Sequence, residues 1–107
     1  MSKSQRTKGA AGERELCRIL RDELGIEVHR EIGQSRDGGC DIKVGPFNVE
    51  VKRRARIGGI YDWIGQAEAS CEGHRRPVVV CRADGKHWMV VQRLEDWIQL
   101  AREEICD

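Results

Sequence analysis

The sequence predicts an α/β fold, a mixed β-sheet flanked by helices, and three stretches carry that expectation. Cys40 to Arg53 alternates apolar and polar residues on either side of Gly45-Pro46, as two half-buried strands do. Val78-Val79-Val80-Cys81 is an uninterrupted apolar run suited to a central strand covered on both faces. Between them Ile60, Ile64, Ala67 and Cys71 keep helical spacing, so a strand, a crossover helix and a further strand follow one another. At 107 residues the chain is expected to be one domain, 1–107, with room for one core.

Taken in order, residues 1–7 are polar and basic and read as a mobile arm that orders on meeting a partner, with Thr7 as a cap for the helix that follows. From Lys8 to Leu24 the residues Cys17, Leu20 and Leu24 form the stripe of a helix packed on a core. Glu13 lies four residues before Cys17 and extends that stripe, which sets a carboxylate on the core-facing side near the helix N-terminus. The bland alternative is a solvated first-turn glutamate favoured by the helix dipole.

Gly25 should end the helix, and Ile26 to Ile32 reads as a first strand with Val28 and Ile32 on one side. The polar loop Gly33 to Gly39 has a composition that lets backbone approach a ligand, and a plain connection has the same composition. After the two alternating strands and Gly58-Gly59, a second helix runs from Ile60 to Cys71. Asp84-Gly85 is a hairpin signal, so Trp88 to Val91 should return antiparallel. A last helix begins near Leu94, with Leu94, Trp97, Ile98, Ala101 and Ile105 on one side.

The chemistry concentrates in the first hairpin. With Gly45-Pro46 at its centre, Val44 pairs with Phe47 and Ile42 with Val49, which puts Asp41 across from Glu50. Asp41, Glu50 and Lys52 then share the face opposite Ile42, Val49 and Val51. Two like charges directly opposed cost roughly 0.2 to 1 kcal/mol. A cation between them removes the cost, and oxygen-only ligands suit a hard divalent ion such as Mg2+.

Asp41, separated by eight residues from Glu50-Val51-Lys52, resembles the split acidic motif of the PD-(D/E)XK nucleases. Gly39-Cys40 precedes Asp41 where the motif is nominally proline. The opening segment Lys8-Gly9-Ala10-Ala11-Gly12-Glu13-Arg14-Glu15-Leu16 resembles the first helix of the archaeal and phage Holliday junction resolvases within that superfamily, with Glu13 matching its further acid. The likeness extends over about residues 8–80. It implies a restriction-endonuclease-like fold and a metal-dependent DNA endonuclease cutting four-way junctions. Asp41, Glu50 and the Val51 carbonyl would ligate Mg2+, with Mn2+ able to substitute, and Glu13 would support a second ion or its water shell. Lys52 would orient water and stabilise developing charge. Gln66 on the second helix is similar to a glutamine that reaches the active site in several branches, although Ser70 stands where an aromatic often follows.

Charge is high and nearly balanced, at 19 basic against 18 acidic residues, so bulk charge does not announce a nucleic-acid binder. Its distribution is polarised. Lys3, Arg6 and Lys8 open the chain, Lys52, Arg53, Arg54 and Arg56 cluster after the second strand, and acids gather near the C-terminus. Lys8, Arg14, Arg30, Arg53, Arg54 and Arg56 are the candidates for DNA phosphates, against the alternative of solvated surface cations. Trp63, Trp88 and Trp97 are expected in packing rather than base stacking.

The five cysteines show no Cys-x-x-Cys pair, which argues against zinc or iron–sulfur sites and for buried reduced thiols. No signal peptide or long apolar run is seen, so a soluble chain acting in the cytoplasm, the host's if phage-encoded, is expected, with no membrane partner. Two cuts on a junction call for a homodimer, with Trp88, Trp97 and Ile105 as interface candidates. Two other readings compete. Asp37-Gly38-Gly39-Cys40-Asp41 is similar to a run in Mrr-type restriction endonucleases, which usually carry Gln-x-Lys instead of Glu-x-Lys. A DNA-binding module that kept the fold without cleaving has no use for two opposed carboxylates.

Overall fold

The computed structural model describes residues 3–31 and 40–106. The first helix, α1 (Lys3–Leu24), is longer than expected at its start, so Thr7 lies inside it and is not its cap. Lys3 to Lys8 contains neither proline nor glycine, and once the following turns are nucleated nothing stops the helix from propagating backward. The basic segment is therefore helical from Lys3. Its end is as expected: Gly25 takes φ 67°, and its N–H donates to the Arg21 carbonyl at 2.9 Å. Leu16 and Cys17 are buried and Leu20 is partly so, whereas Leu24 is exposed at the rim of an open apolar groove.

Among the described residues the expected strand Ile26 to Ile32 is reduced to one antiparallel bridge, Arg30 to Ile42, with the Glu31 N–H donating to the Asp41 carbonyl at 2.8 Å. Its neighbour β1 (Ile42–Val44) has only three residues to offer as partners, and Ile26 and Glu27 stay exposed. Val28 is buried as expected; Ile32 and the loop Gly33 to Gly39 lie outside the described residues.

The hairpin of β1 with β2 (Phe47–Arg54) has the expected register, Ile42 to Val49 and Val44 to Phe47. Gly45 enables the turn with φ 51°, a conformation L side chains adopt at a cost. The second helix, α2 (Ile60–Ala69), crosses over to β3 (Arg76–Ala83), which runs parallel to β2 from Phe47 opposite Arg76 to Arg54 opposite Ala83. The helix stops short of Cys71, where Ser70 folds its hydroxyl back onto the Ala67 carbonyl at 2.8 Å. A short β4 (Met89–Val91) returns antiparallel to β3, and α3 (Leu94–Ile105) follows. Among the described residues this is a four-stranded mixed sheet in the order β1-β2-β3-β4 with three helices.

Alternation along β2 and β3 divides the interior. On one face α1 covers Ile42, Val49, Val51, Val78 and Val80. On the other α2 covers Val79 and Cys81 through Ala67, Trp63 and Ile64. Gly12 marks where α1 crosses β2, because a Cβ there would sit 2.7 Å from Arg53 Cβ. Trp88 leaves the strand it was expected to open: its indole N–H donates to Glu15 of α1 at 2.8 Å.

The apolar stripe of α3 is not turned to the core. Leu94, Trp97 and Ile105 are 70%, 54% and 78% exposed, and the helix's buried residue is Asp96, bound to Arg93 at 2.8 Å. Among the described cysteines all five are free thiols, with Cys17, Cys40 and Cys81 buried and Cys106 exposed. No helix is long and apolar enough to cross a membrane among the described residues.

Candidate active site

The side chains of Asp41, Glu50 and Lys52 meet at the end of the first hairpin. Asp41 is fixed through its backbone, which donates to the Val49 carbonyl at 3.1 Å and accepts from Glu31. Its carboxylate then accepts the Val51 N–H at 2.8 Å. Because β2 pleats, Glu50 and Lys52 project to the face opposite Val49 and Val51, and Lys52 Nζ stands 3.5 Å from Glu50 Oε2. Both side chains are nearly enclosed, at 12% and 11% exposure. Trp63 of α2 lies against this pair, with its ring centroid 5.9 Å from Lys52 Nζ and 6.0 Å from the Arg54 guanidinium.

Burial makes the acids reluctant to ionise. Glu50 is pushed up to about 7, first by desolvation and then by the Asp41 charge, with Lys52 opposing. Asp41 is also raised by burial, against the pull of the Val51 N–H and of Lys52. Glu13 joins the electrostatic group from α1. Desolvation raises it and Asp41 raises it further, while Arg30 holds it down through an ion pair at 2.9 Å. Near neutral pH Glu50 thus stays partly protonated.

This donor set fits a hard divalent cation. Two neighbouring, largely enclosed carboxyls whose charges oppose each other become compatible as anions when a cation lies between them, and Val51 adds a neighbouring backbone carbonyl. Among the described residues no three acidic, histidine or cysteine side chains converge as a ready-made cage. An ion held by two carboxylates and completed by water matches the habit of magnesium.

The family model described as "Phage putative PDDEXK endonuclease" matches residues 4–105. The chain belongs to this family. Neither the curated proteins nor the solved structures yield a match to it. The mixed four-stranded sheet with three helices is consistent with the fold of a PDDEXK endonuclease.

The other sequence candidates, Arg30 excepted, stand apart from the acids of this endonuclease. Gln66 is exposed on α2 and makes no hydrogen bond to the cluster among the described residues. Lys8 and Arg53 both bind Asp84 at the β3–β4 turn, Lys8 at 3.0 Å, and Arg30 is engaged by Glu13. Arg54 stacks on Trp63 and bonds the Arg53 carbonyl at 3.1 Å. Arg14 and Arg56 are exposed, without ion pairs among the described residues. Sequence reasoning assigned Trp63 to packing alone. Its position early in the crossover helix between the acidic strand and β3 was the available signal for its second contact, with Lys52.

Proposed function

We propose that this endonuclease is metal-dependent and cuts branched DNA, resolving four-way junctions as a homodimer. The observation that carries the reading is the clustering of Asp41, Glu50 and Lys52, in which Asp41 accepts the Val51 N–H at 2.8 Å and the enclosed Lys52 Nζ stands 3.5 Å from Glu50 Oε2. Asp41, Glu50 and the Val51 carbonyl would hold Mg2+, or Mn2+ in its place, and Glu13 would support its water shell. Such an ion supplies charge neutralisation at the phosphoryl oxygens and a more acidic water.

The chain's own groups do the positioning. The Val51 N–H fixes one Asp41 oxygen, so the carboxylate presents its other oxygen in a set direction. Hydrolysis joins a water oxygen to phosphorus, breaks one P–O bond and passes a proton to the departing sugar oxygen. Lys52, held between Glu50 and the Trp63 ring, offers ammonium hydrogen bonds to the attacking water and to the phosphoryl oxygens. Selectivity for junctions rests on the likeness of the Lys8 to Leu16 segment to the resolvases, within which Gly12 is the residue that lets α1 lie close on β2.

Two cuts on opposing strands need two such sites, and a two-fold pair supplies them. The surface that suits a second copy is the exposed apolar run Met89, Val90, Leu94, Trp97, Ile98 and Ile105. Trp88, half-buried against α1, drops out of the expected interface. The test is to incubate the protein with duplex, single-stranded, flap and four-way DNA, with and without magnesium, alongside sedimentation. Paired magnesium-dependent cuts in the four-way substrate by a dimer are expected. Equal cutting of linear duplex, or a monomer on DNA, would leave an endonuclease that is not a resolvase, and cutting in excess chelator would remove the metal.

A further inference from the structure

We infer that α1 carries a phosphate-binding track, a cleft lined by Arg14, Arg18, Arg21 and Arg30, which takes the backbone of the DNA arm leading away from the cut; the inference rests on the endonuclease reading above. Arg14, Arg18 and Arg21 recur at helical spacing and share one face of α1, and Arg30 forms the facing wall. The cleft has a volume of about 650 Å³, and Ala11 leaves its upper end open to a ligand.

Each guanidinium is available to an anion in its own way. Arg14 and Arg18 are exposed and form no ion pair among the described residues, although Asp22 stands one turn beyond Arg18. Among the described residues Arg21 uses only its Nε, donating to the Val28 carbonyl at 2.7 Å, and Arg30 likewise uses its Nε on Glu13. Those bonds hold the exposed Arg21 and the partly buried Arg30 in place, and among the described residues their terminal amino groups remain to meet a phosphate. The acidic residue in the lining, Glu15, has one oxygen already taken by Arg82 at 2.6 Å and Trp88 at 2.8 Å. Three cations on successive turns repel one another in the free protein, and a polyanion laid along them reverses that interaction.

The track also has a direction and a length. Its near end joins the acids through the Arg30–Glu13 pair at 2.9 Å, and Arg21 marks its far end. Seven residues of helix rise span about 10 Å, which matches the rise of about three nucleotides along one strand. The cleft therefore engages phosphates flanking the cut and not the reacting phosphate itself. It needs no base-specific contact, in keeping with an enzyme that reads DNA shape.

Binding of a four-way junction in chelator, followed by fluorescence anisotropy over a salt series, tests the track. Arg18→Ala is the first variant because Arg18 is exposed and bonds to nothing described, so an unchanged melting curve is expected. Its affinity should fall about 3- to 10-fold, and the slope of log K against log salt should shrink by about 1. The double variant Arg14→Ala/Arg18→Ala should lose about 2 in slope. Arg102→Ala on α3 removes the same charge away from the cleft and should match the wild type. Retention of the full slope by Arg18→Ala, or an equal loss in Arg102→Ala, would overturn the track. If the wild type still cuts DNA with magnesium in that case, the endonuclease reading survives; a wild type that neither binds nor cuts sinks both.

Discussion

Replacing Glu50 with glutamine should make the metal-free protein more stable at alkaline pH and leave it unchanged near pH 4. Glu50 rises from an ordinary 4.5 to about 7 in the folded protein, with burial as the main cause. A folded value above the unfolded one means that stability is complete below pH 4.5 and is lost as pH climbs, the loss being finished once pH has passed about 7. At ~1.4 kcal/mol per pH unit, the whole change is about 3 kcal/mol. The side chain is only 12% exposed, so solvent screening removes little of it. For a domain of this size the corresponding change in Tm is roughly 10 to 20 °C. Thermal melts of the wild type and Glu50→Gln in chelator, from pH 4.5 to 8.5, measure it. The two curves should separate progressively with pH, with the variant on top, and added magnesium should close the gap by stabilising the wild type alone. Parallel curves, or a variant less stable at pH 8, would mean that Lys52 already stabilises the ionised carboxylate in full.

Two further outcomes follow from the same geometry. Gly12→Ala should destabilise the fold by about 1 to 3 kcal/mol, since its Cβ would meet the Arg53 Cβ at 2.7 Å where neither backbone can easily withdraw, and a denaturant midpoint no lower than the wild type's would show that α1 can shift. Asp41→Asn and Lys52→Ala should each reduce magnesium-dependent DNA cleavage by at least 100-fold while the variants still bind DNA, and Lys52→Ala that cuts at the wild-type rate would remove the lysine from the chemistry.

The hairpin and its register were legible because alternation, turn residues and strand pairing are local properties. The sequence pattern pairs Ile42 with Val49, as observed, and so expects Asp41 opposite Glu50; in the structure Asp41 stands just outside the ladder, with its N–H on the Val49 carbonyl. It assigns the difficulty of that arrangement to mutual repulsion, whereas in the structure desolvation comes first for both acids. Burial depends on α2 and on Trp63, which arrive from elsewhere in the chain. The strand at Ile26 to Ile32 was misread for a similar reason: its composition suits a strand, but pairing requires a partner edge, and β1 provides one bridge. For α3 the apolar periodicity was read correctly and its destination was not. Periodicity identifies a face without saying whether it meets the chain's own core or another surface. The fate of Lys8, Arg30 and Arg53 was equally hidden, because each is claimed by an acid distant in sequence.

A single strand, β2, carries both the core and the chemistry, and this explains how so small a domain tolerates a costly site. Val49 and Val51 lie under α1 in the larger apolar cluster, while the residues between and after them, Glu50 and Lys52, face α2. Moving Glu50 off the strand would lower its burial, but it would also separate the carboxylate from Lys52, just as Asp41, which precedes β1, is oriented by the Val51 N–H of β2. The valines fix the backbone on one side so that the acids can be held enclosed on the other. The cost falls on the ionised metal-free state and disappears when a cation replaces the proton, so the same burial that weakens the empty protein strengthens its preference for the ion. Stability and metal affinity are then two readings of one free-energy difference, and a change at Glu50 must move them in opposite directions.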